Sequence, residues 1–135
     1  MAALLGTRGP ADEEAAALGM AMQRTNLLRD IDEDRANGRF YLASETVRRY
    51  GAPDPGRREM LLRDEIARAD ALYEQGCAGV ATLAHGRRAV AAAAAMYREI
   101  LRQIEREGYG AREGRAVVTT RRKIVAAAQS RVATP

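Results

Sequence analysis

Tryptophan is absent from this 135-residue chain, and phenylalanine, histidine, cysteine and lysine occur once each. Each scarcity removes a class of function. A lone cysteine, Cys77, forbids an internal disulfide and suits a reducing, cytoplasmic setting; it reads as a small packed residue. The only histidine, His85, has no cysteine, serine or acid partner at useful spacing, so it reads as a surface or capping residue. No glycine-rich phosphate loop, zinc spacing or nucleophile motif is present. Uninterrupted apolar runs long enough to cross a membrane are also missing. Met1–Leu5 is too short for a signal-peptide core and lacks its basic start.

What remains is alanine and arginine. Twenty-eight alanines against six aromatics, with 47% hydrophobic residues, point to an all-α chain with small-residue helix contacts and the size of one domain. Arginine supplies 21 of the 22 basic residues in a chain of net charge +4. The late cluster Arg112, Arg115, Arg121, Arg122, Lys123 and Arg131 is opposed only by Glu113. Without interleaved aromatics or a recognised motif, nucleic acid is not the expected partner. A diphosphate or an anionic lipid surface fits better, while each residue taken singly reads as a solvated charge.

Along the chain, Met1–Gly6 is a short apolar piece and Gly9-Pro10 a break. Asp12-Glu13-Glu14 then opens a helix predicted to run to about Arg35, with Gly38 as its stop. Ser44 reads as the N-cap of a short helix ending at Gly51, and residues 52–56 as a loop. A long helix is expected from about Arg57 to Gln75, with Leu61, Ile66, Ala69, Leu72 and Tyr73 on its apolar face. Gly76 and Gly79 are expected to weaken or bend it. Another helix should follow Gly86 and end at Glu107-Gly108, with Val90, Ala94, Tyr97, Leu101 and Ile104 inward; the last begins at Thr119 or Thr120.

One segment violates the usual electrostatics of a helix. Asp30, Asp32, Glu33 and Asp34 sit in its last turns, where a carboxylate costs a few tenths to about 1 kcal/mol against the helix dipole. Asp30 and Asp34 repel at i,i+4 as well. Gln23, Asn26, Asp30 and Asp34 fall within roughly an 80° arc at about 100° per residue. Met20, Leu27 and Ile31 flank that arc, which is unusual for a merely solvated face. Two carboxylates completed by water and phosphate oxygens are a common way of holding Mg²⁺.

The run from Leu18 to Leu42 resembles the second aspartate-rich motif of the squalene/phytoene synthase family, Q-x-T-N-x-x-R-D-x-x-E-D-x-x-x-G-R-x-Y-x-P. Gln23, Thr25, Asn26, Arg29, Asp30, Glu33, Asp34, Gly38, Arg39 and Tyr41 match it. Arg24 stands where an apolar residue is usual, with an effect expected on the cavity wall or a packing contact, and Ala43 replaces the proline. Later, Ala95–Leu101 resembles the family helix whose tyrosine, here Tyr97, reaches the substrate diphosphate. Tyr97 by itself reads as core. Tyr109 and Arg115 resemble the family's Y-x-x-x-x-R segment, whose arginine contacts diphosphate.

The resemblance implies the later part of the isoprenoid synthase helical bundle. It implies Mg²⁺, or Mn²⁺, on Asp30 and Asp34 with Glu33 nearby, and Gln23 and Asn26 orienting ligands or water. Arg29, Arg39, Tyr41, Tyr97 and Arg115 would then serve substrate or diphosphate. The implied reaction joins two prenyl diphosphates head to head. The segments 72–83 and 106–115 look more like those of phytoene synthases, which join two geranylgeranyl diphosphates through prephytoene diphosphate. The alternatives are squalene or presqualene diphosphate synthases of the hopanoid type, and a non-catalytic helical interaction module. Family members are about twice this long and carry a first aspartate-rich motif on a facing helix. The expectation is therefore a partial domain over residues 1–135, inactive alone or completed by a separate N-terminal half, with peripheral membrane association a further expectation.

Overall fold

The computed structural model describes residues 12–130, so Met1–Gly6, the Gly9-Pro10 break and Arg131 fall outside it. The described residues form six helices and no strand: α1 (Asp12–Arg29), α2 (Ile31–Ala36), α3 (Ser44–Tyr50), α4 (Glu59–Val80), α5 (Arg87–Arg106) and α6 (Thr120–Gln129).

The single helix expected over 12–35 is interrupted at Asp30, whose φ of −101° and ψ of 11° leave the helical region. Aspartate is a poor helix former because its short carboxylate competes for local partners. Here both its oxygens are taken by Arg29 next to it. The Asp30 amide still reaches the Asn26 carbonyl (3.0 Å) and the Asp34 amide the Asp30 carbonyl (2.8 Å), so one residue interrupts a ladder otherwise continuous across it. Gly38 stops α2 as anticipated. At φ 69° it lets its own amide bond to the Arg35 carbonyl (3.0 Å) and the Arg39 amide to that of Asp34 (2.7 Å).

Gly76 and Gly79 do not end α4, which runs unbroken to Val80. They are buried where α4 meets α1. A Cβ on Gly76 would lie 2.7 Å from Leu18 Cβ, and one on Gly79 would lie 2.4 Å from Glu14 Cβ. Their missing side chains let two backbones approach, which outweighs about 1 kcal/mol of lost helix propensity per glycine.

The pairings Gly79–Glu14, Gly76–Leu18 and Glu65–Arg24 make α1 and α4 antiparallel. Asp70 with Arg98 and Arg102, and Arg63 with Tyr109, set α5 antiparallel to α4 in turn. Leu18, Ala21 and Leu28 of α1, Leu61, Ile66, Ala69 and Tyr73 of α4, and Ala94, Leu101 and Ile104 of α5 form the core, closed by Ala116 and Val118. Thr25 is fully buried beneath it. Its hydroxyl donates to the Ala21 carbonyl (2.8 Å), so the Tyr73 hydroxyl is the donor in their 2.8 Å contact.

Smaller boundaries shift by one residue. Ala43, not Ser44, is the N-cap of α3, while Thr119 caps α6 and accepts from the Arg122 amide at 3.5 Å. α6 buries no residue, and its apolar pair Ile124 and Val125 is exposed. Cys77, expected to be packed, is exposed beside a small cleft between α4 and α5. His85 is exposed just before Gly86, the N-cap of α5. No described helix is long and apolar enough to cross a membrane.

Candidate functional site

The candidate site lies at the interruption between α1 and α2. Arg29 grips Asp30 with two charge-assisted bonds, Nε to Oδ1 at 2.8 Å and Nη2 to Oδ2 at 2.6 Å. Arg115, 85 positions further along the chain (115 − 30), brings its Nε to 3.1 Å from Asp30 Oδ1. Its Nη1 lies 4.0 Å from Glu33 Oε2. The bond from Arg29 holds the Asp30 carboxyl below its ordinary value; partial burial opposes this, and Arg115 adds to it. The Arg29 guanidinium is correspondingly raised by Asp30, and Tyr97 lies close enough to act on it in the same sense. Arg29, Asp30 and Arg115 thus meet, with Glu33 on the rim, while Tyr97 packs against the core.

Asn26 stands one turn before Asp30. Its Oδ1 is buried without any hydrogen-bond partner, a costly state for a polar oxygen. Asp34 stands one turn after, half-buried, in a narrow cleft with Leu27, Ile31, Arg39 and Tyr41. Gln23 is exposed on α1, and Met20 beside it is 50% exposed. Of the arc read from the sequence, Gln23 is therefore exposed, whereas Asn26, Asp30 and Asp34 are partly buried. Among the described residues no three acidic, histidine or cysteine side chains converge as a metal cage would require.

Three residues escaped the sequence reading. Arg58, 2% exposed, pairs both guanidinium arms with the two oxygens of Asp32, the second at 2.7 Å. It also donates to the carbonyls of Pro53 (3.2 Å), Gly110 (3.1 Å) and Arg112 (3.2 Å). The Gly114 amide donates to Asp32 Oδ2 at 2.8 Å. Desolvation pushes the Asp32 carboxyl up, but Arg58 and Gly114 together outweigh it and the net shift is downward. Asp32 is therefore committed inside the protein. Glu65, buried on α4, is met by Arg24 at 2.5 Å and by the Thr46 hydroxyl at 3.0 Å. Arg24 thus ties α1 to α4. Only the unusual arginine at position 24 hinted at such a pairing in the sequence.

Behind the junction lies an open groove of about 670 Å³. Arg29 and Arg115 form one wall, with Arg58, Arg106 and Arg112 further along it. Asp30 and Asp34 do not line it. Glu107 and Glu113 do line it, so the groove carries both signs of charge.

The six-helix arrangement is that of an isoprenoid synthase helical fold. The chain belongs to the squalene/phytoene synthase family, whose profile matches residues 1–122. It is 39% identical over 118 residues to a phytoene synthase of Thermus thermophilus, covering 81% of this chain and 40% of that protein. A 15-cis-phytoene synthase of Synechococcus elongatus is 36% identical over 121 residues, covering 83% and 39%. The fold is similar to that of a dehydrosqualene synthase crystallised with ligand, at a TM-score of 0.80 and 30% identity, over 92% of this chain and 48% of that one. The chain thus spans less than half the length of the relatives it matches.

Proposed function

We propose that this chain is the later part of a phytoene synthase-type prenyltransferase, which joins two geranylgeranyl diphosphates head to head. The observation that carries the proposal is the meeting of Arg29, Asp30 and Arg115, with the unpartnered Asn26 Oδ1 one turn away. Similarity to phytoene synthases at 36–39% identity supports the larger substrate over the farnesyl diphosphate of the squalene-type alternative.

The donor chemistry fits a hard divalent cation. Asp30 and Asp34 supply carboxylates, Asn26 an orphaned amide oxygen, and Glu33 a further acid nearby, all suited to Mg²⁺ or Mn²⁺. When bound, the cation supplies positive charge that stabilises a departing diphosphate. Arg29 holds the Asp30 carboxylate ionised and oriented. Arg115 and Tyr97 offer donors to diphosphate oxygens beside it, Arg39 and Tyr41 do so at the Asp34 end, and Gln23 orients water. Met20, Leu27 and Ile31 provide the apolar border from which water is excluded once the face is covered. With too few acids here for a cage, the remaining ligands come from diphosphate, water and a second aspartate pair on another stretch of polypeptide. We therefore assign turnover to the completed bundle.

Titration calorimetry with Mg²⁺ and inorganic diphosphate tests this reading. The chain should bind the pair in a Mg²⁺-dependent manner, and Asp30→Asn should weaken binding by about 2 kcal/mol, roughly thirtyfold, as expected for a lost charge-assisted contact. Prenyl diphosphate turnover should appear only after co-expression with a polypeptide carrying an upstream aspartate pair. Condensation by the purified chain alone would overturn the incompleteness, and equal binding by Asp30→Asn would overturn the site.

A further inference from the structure

We propose that Arg58 and Asp32 are positioning residues for Arg115: their buried pair pins the Gly110–Gly114 loop and so sets the Arg115 guanidinium against Asp30. The inference rests on the reading of Arg115 as a diphosphate contact. Gly108, Tyr109, Gly110 and Gly114 all take positive φ, so this segment has a backbone that few other sequences would adopt. Left free, each loop residue would lose conformational entropy on ordering when ligand arrives.

The pair removes that freedom at three points. Arg58 takes the carbonyls of Gly110 and Arg112, and Asp32 takes the Gly114 amide immediately before Arg115. With Asp32 and Pro53 as its other acceptors, all five guanidinium N–H donors are used. A lysine has three donors and no planar fork, so it cannot reproduce this pattern. Gly110 leaves no slack, since a Cβ there would lie 2.3 Å from Arg58 Nε. The geometry registers both partners at once. Asp32 lies two residues after Asp30, and Gly114 one residue before Arg115, so a single node sets both the acid and the base. A buried ion pair contributes little net stability compared with apolar groups of equal size, which makes its geometry the part worth retaining.

The test uses the full chain and two readouts. In ¹H–¹⁵N spectra of arginine side chains, the Arg115 Nε–H signal is assigned by its loss in Arg115→Gln and its Asp30-bonded shift by the change in Asp30→Asn. Arg58→Lys should move that signal as Asp30→Asn does, while Tyr73 ring resonances in the core stay in place. Affinity for Mg²⁺–diphosphate should fall about tenfold in Arg58→Lys and in Arg115→Gln, and no further in the double variant. An unmoved Arg115 signal in folded Arg58→Lys, or additive losses in the double variant, overturns the proposal. Should Arg58→Lys fail to fold, Arg58→Met with Asp32→Leu replaces the pair by apolar groups; it should show the same shift, and an unmoved signal there overturns the proposal equally. A wild-type chain that binds no Mg²⁺–diphosphate sinks the proposed function, whereas the Arg115 signal still decides the positioning role.

Discussion

Replacing Gly76 with alanine puts the helix crossing under direct strain. The new Cβ would stand 2.7 Å from both Leu18 Cβ and Leu18 N and 2.8 Å from Leu18 Cα, against an ordinary contact of 3.4–4 Å. Two of those atoms are backbone, so no rotamer change relieves the clash and α1 must retreat by about 1 Å, at an overpacking cost of about 1–3 kcal/mol. The retreat also stretches the 2.8 Å Tyr73–Thr25 bond in the same layer, adding about 1 kcal/mol. Alanine returns about 1 kcal/mol of helix propensity. The net is a loss of about 2 kcal/mol, or a melting temperature lower by about 8 °C for a domain of this size. Gly19, also in α1, is the internal control because a Cβ there meets nothing within 4 Å. Gly19→Ala should therefore raise stability by about 0.5–1 kcal/mol. Thermal unfolding followed by far-ultraviolet circular dichroism measures both. If Gly76→Ala melts at or above the wild-type temperature, the close approach of α1 and α4 is wrong.

Other outcomes follow from the polar groups. Asp30 and Asp32 both titrate below the ordinary aspartate value of 3.8, so the stability they contribute is present above that pH and is lost as pH falls through their folded values. Acid unfolding should accordingly set in below about pH 4 and be shallower in Asp30→Asn, as read by a pH series of urea midpoints. At the alkaline end, burial pushes the Tyr73 hydroxyl up to about 12 from 10.0. The folded state keeps that proton longer than the unfolded one, so stability should decline from about pH 10 to 12, a decline that Tyr73→Phe removes. Arg24→Ala leaves Glu65 buried with only Thr46 and should cost about 1–2 kcal/mol by urea titration, discounted because Arg24 is partly exposed; Arg24→Leu with Glu65→Leu should recover most of it.

The helices were legible because periodicity and capping are local. The stripe from Val90 to Ile104 and the stops at Gly38 and Gly108 follow from spacing and from backbone conformations that glycine adopts freely. Asp30 and Asp34 stood out for a similar reason: acids at the end of a helix are costly, and the cost is visible in the order of residues alone. Gly76 and Gly79 lie inside α4 and not beyond its end, because a glycine in a helix has two opposite meanings, a weak point or a place of close approach. Only the position of Leu18 and Glu14 chooses between them. Cys77 was misplaced inside for a related reason, since composition ranks a residue type but not the face on which it falls.

By itself the sequence determined the helical character of the described residues and singled out the acidic run around Asp30 as the candidate site. Tertiary structure alone decided which charges neutralise one another. Asp32 and Asp30 are two residues apart and chemically identical, yet one is sealed against Arg58 and the other faces outward against Arg29 and Arg115. The difference is burial. A carboxylate withdrawn from water must be fully paired within the fold, whereas one left at the edge keeps its field available to a ligand. That assignment depends on residues 26 and 85 positions away (58 − 32 and 115 − 30), contacts that no local pattern encodes.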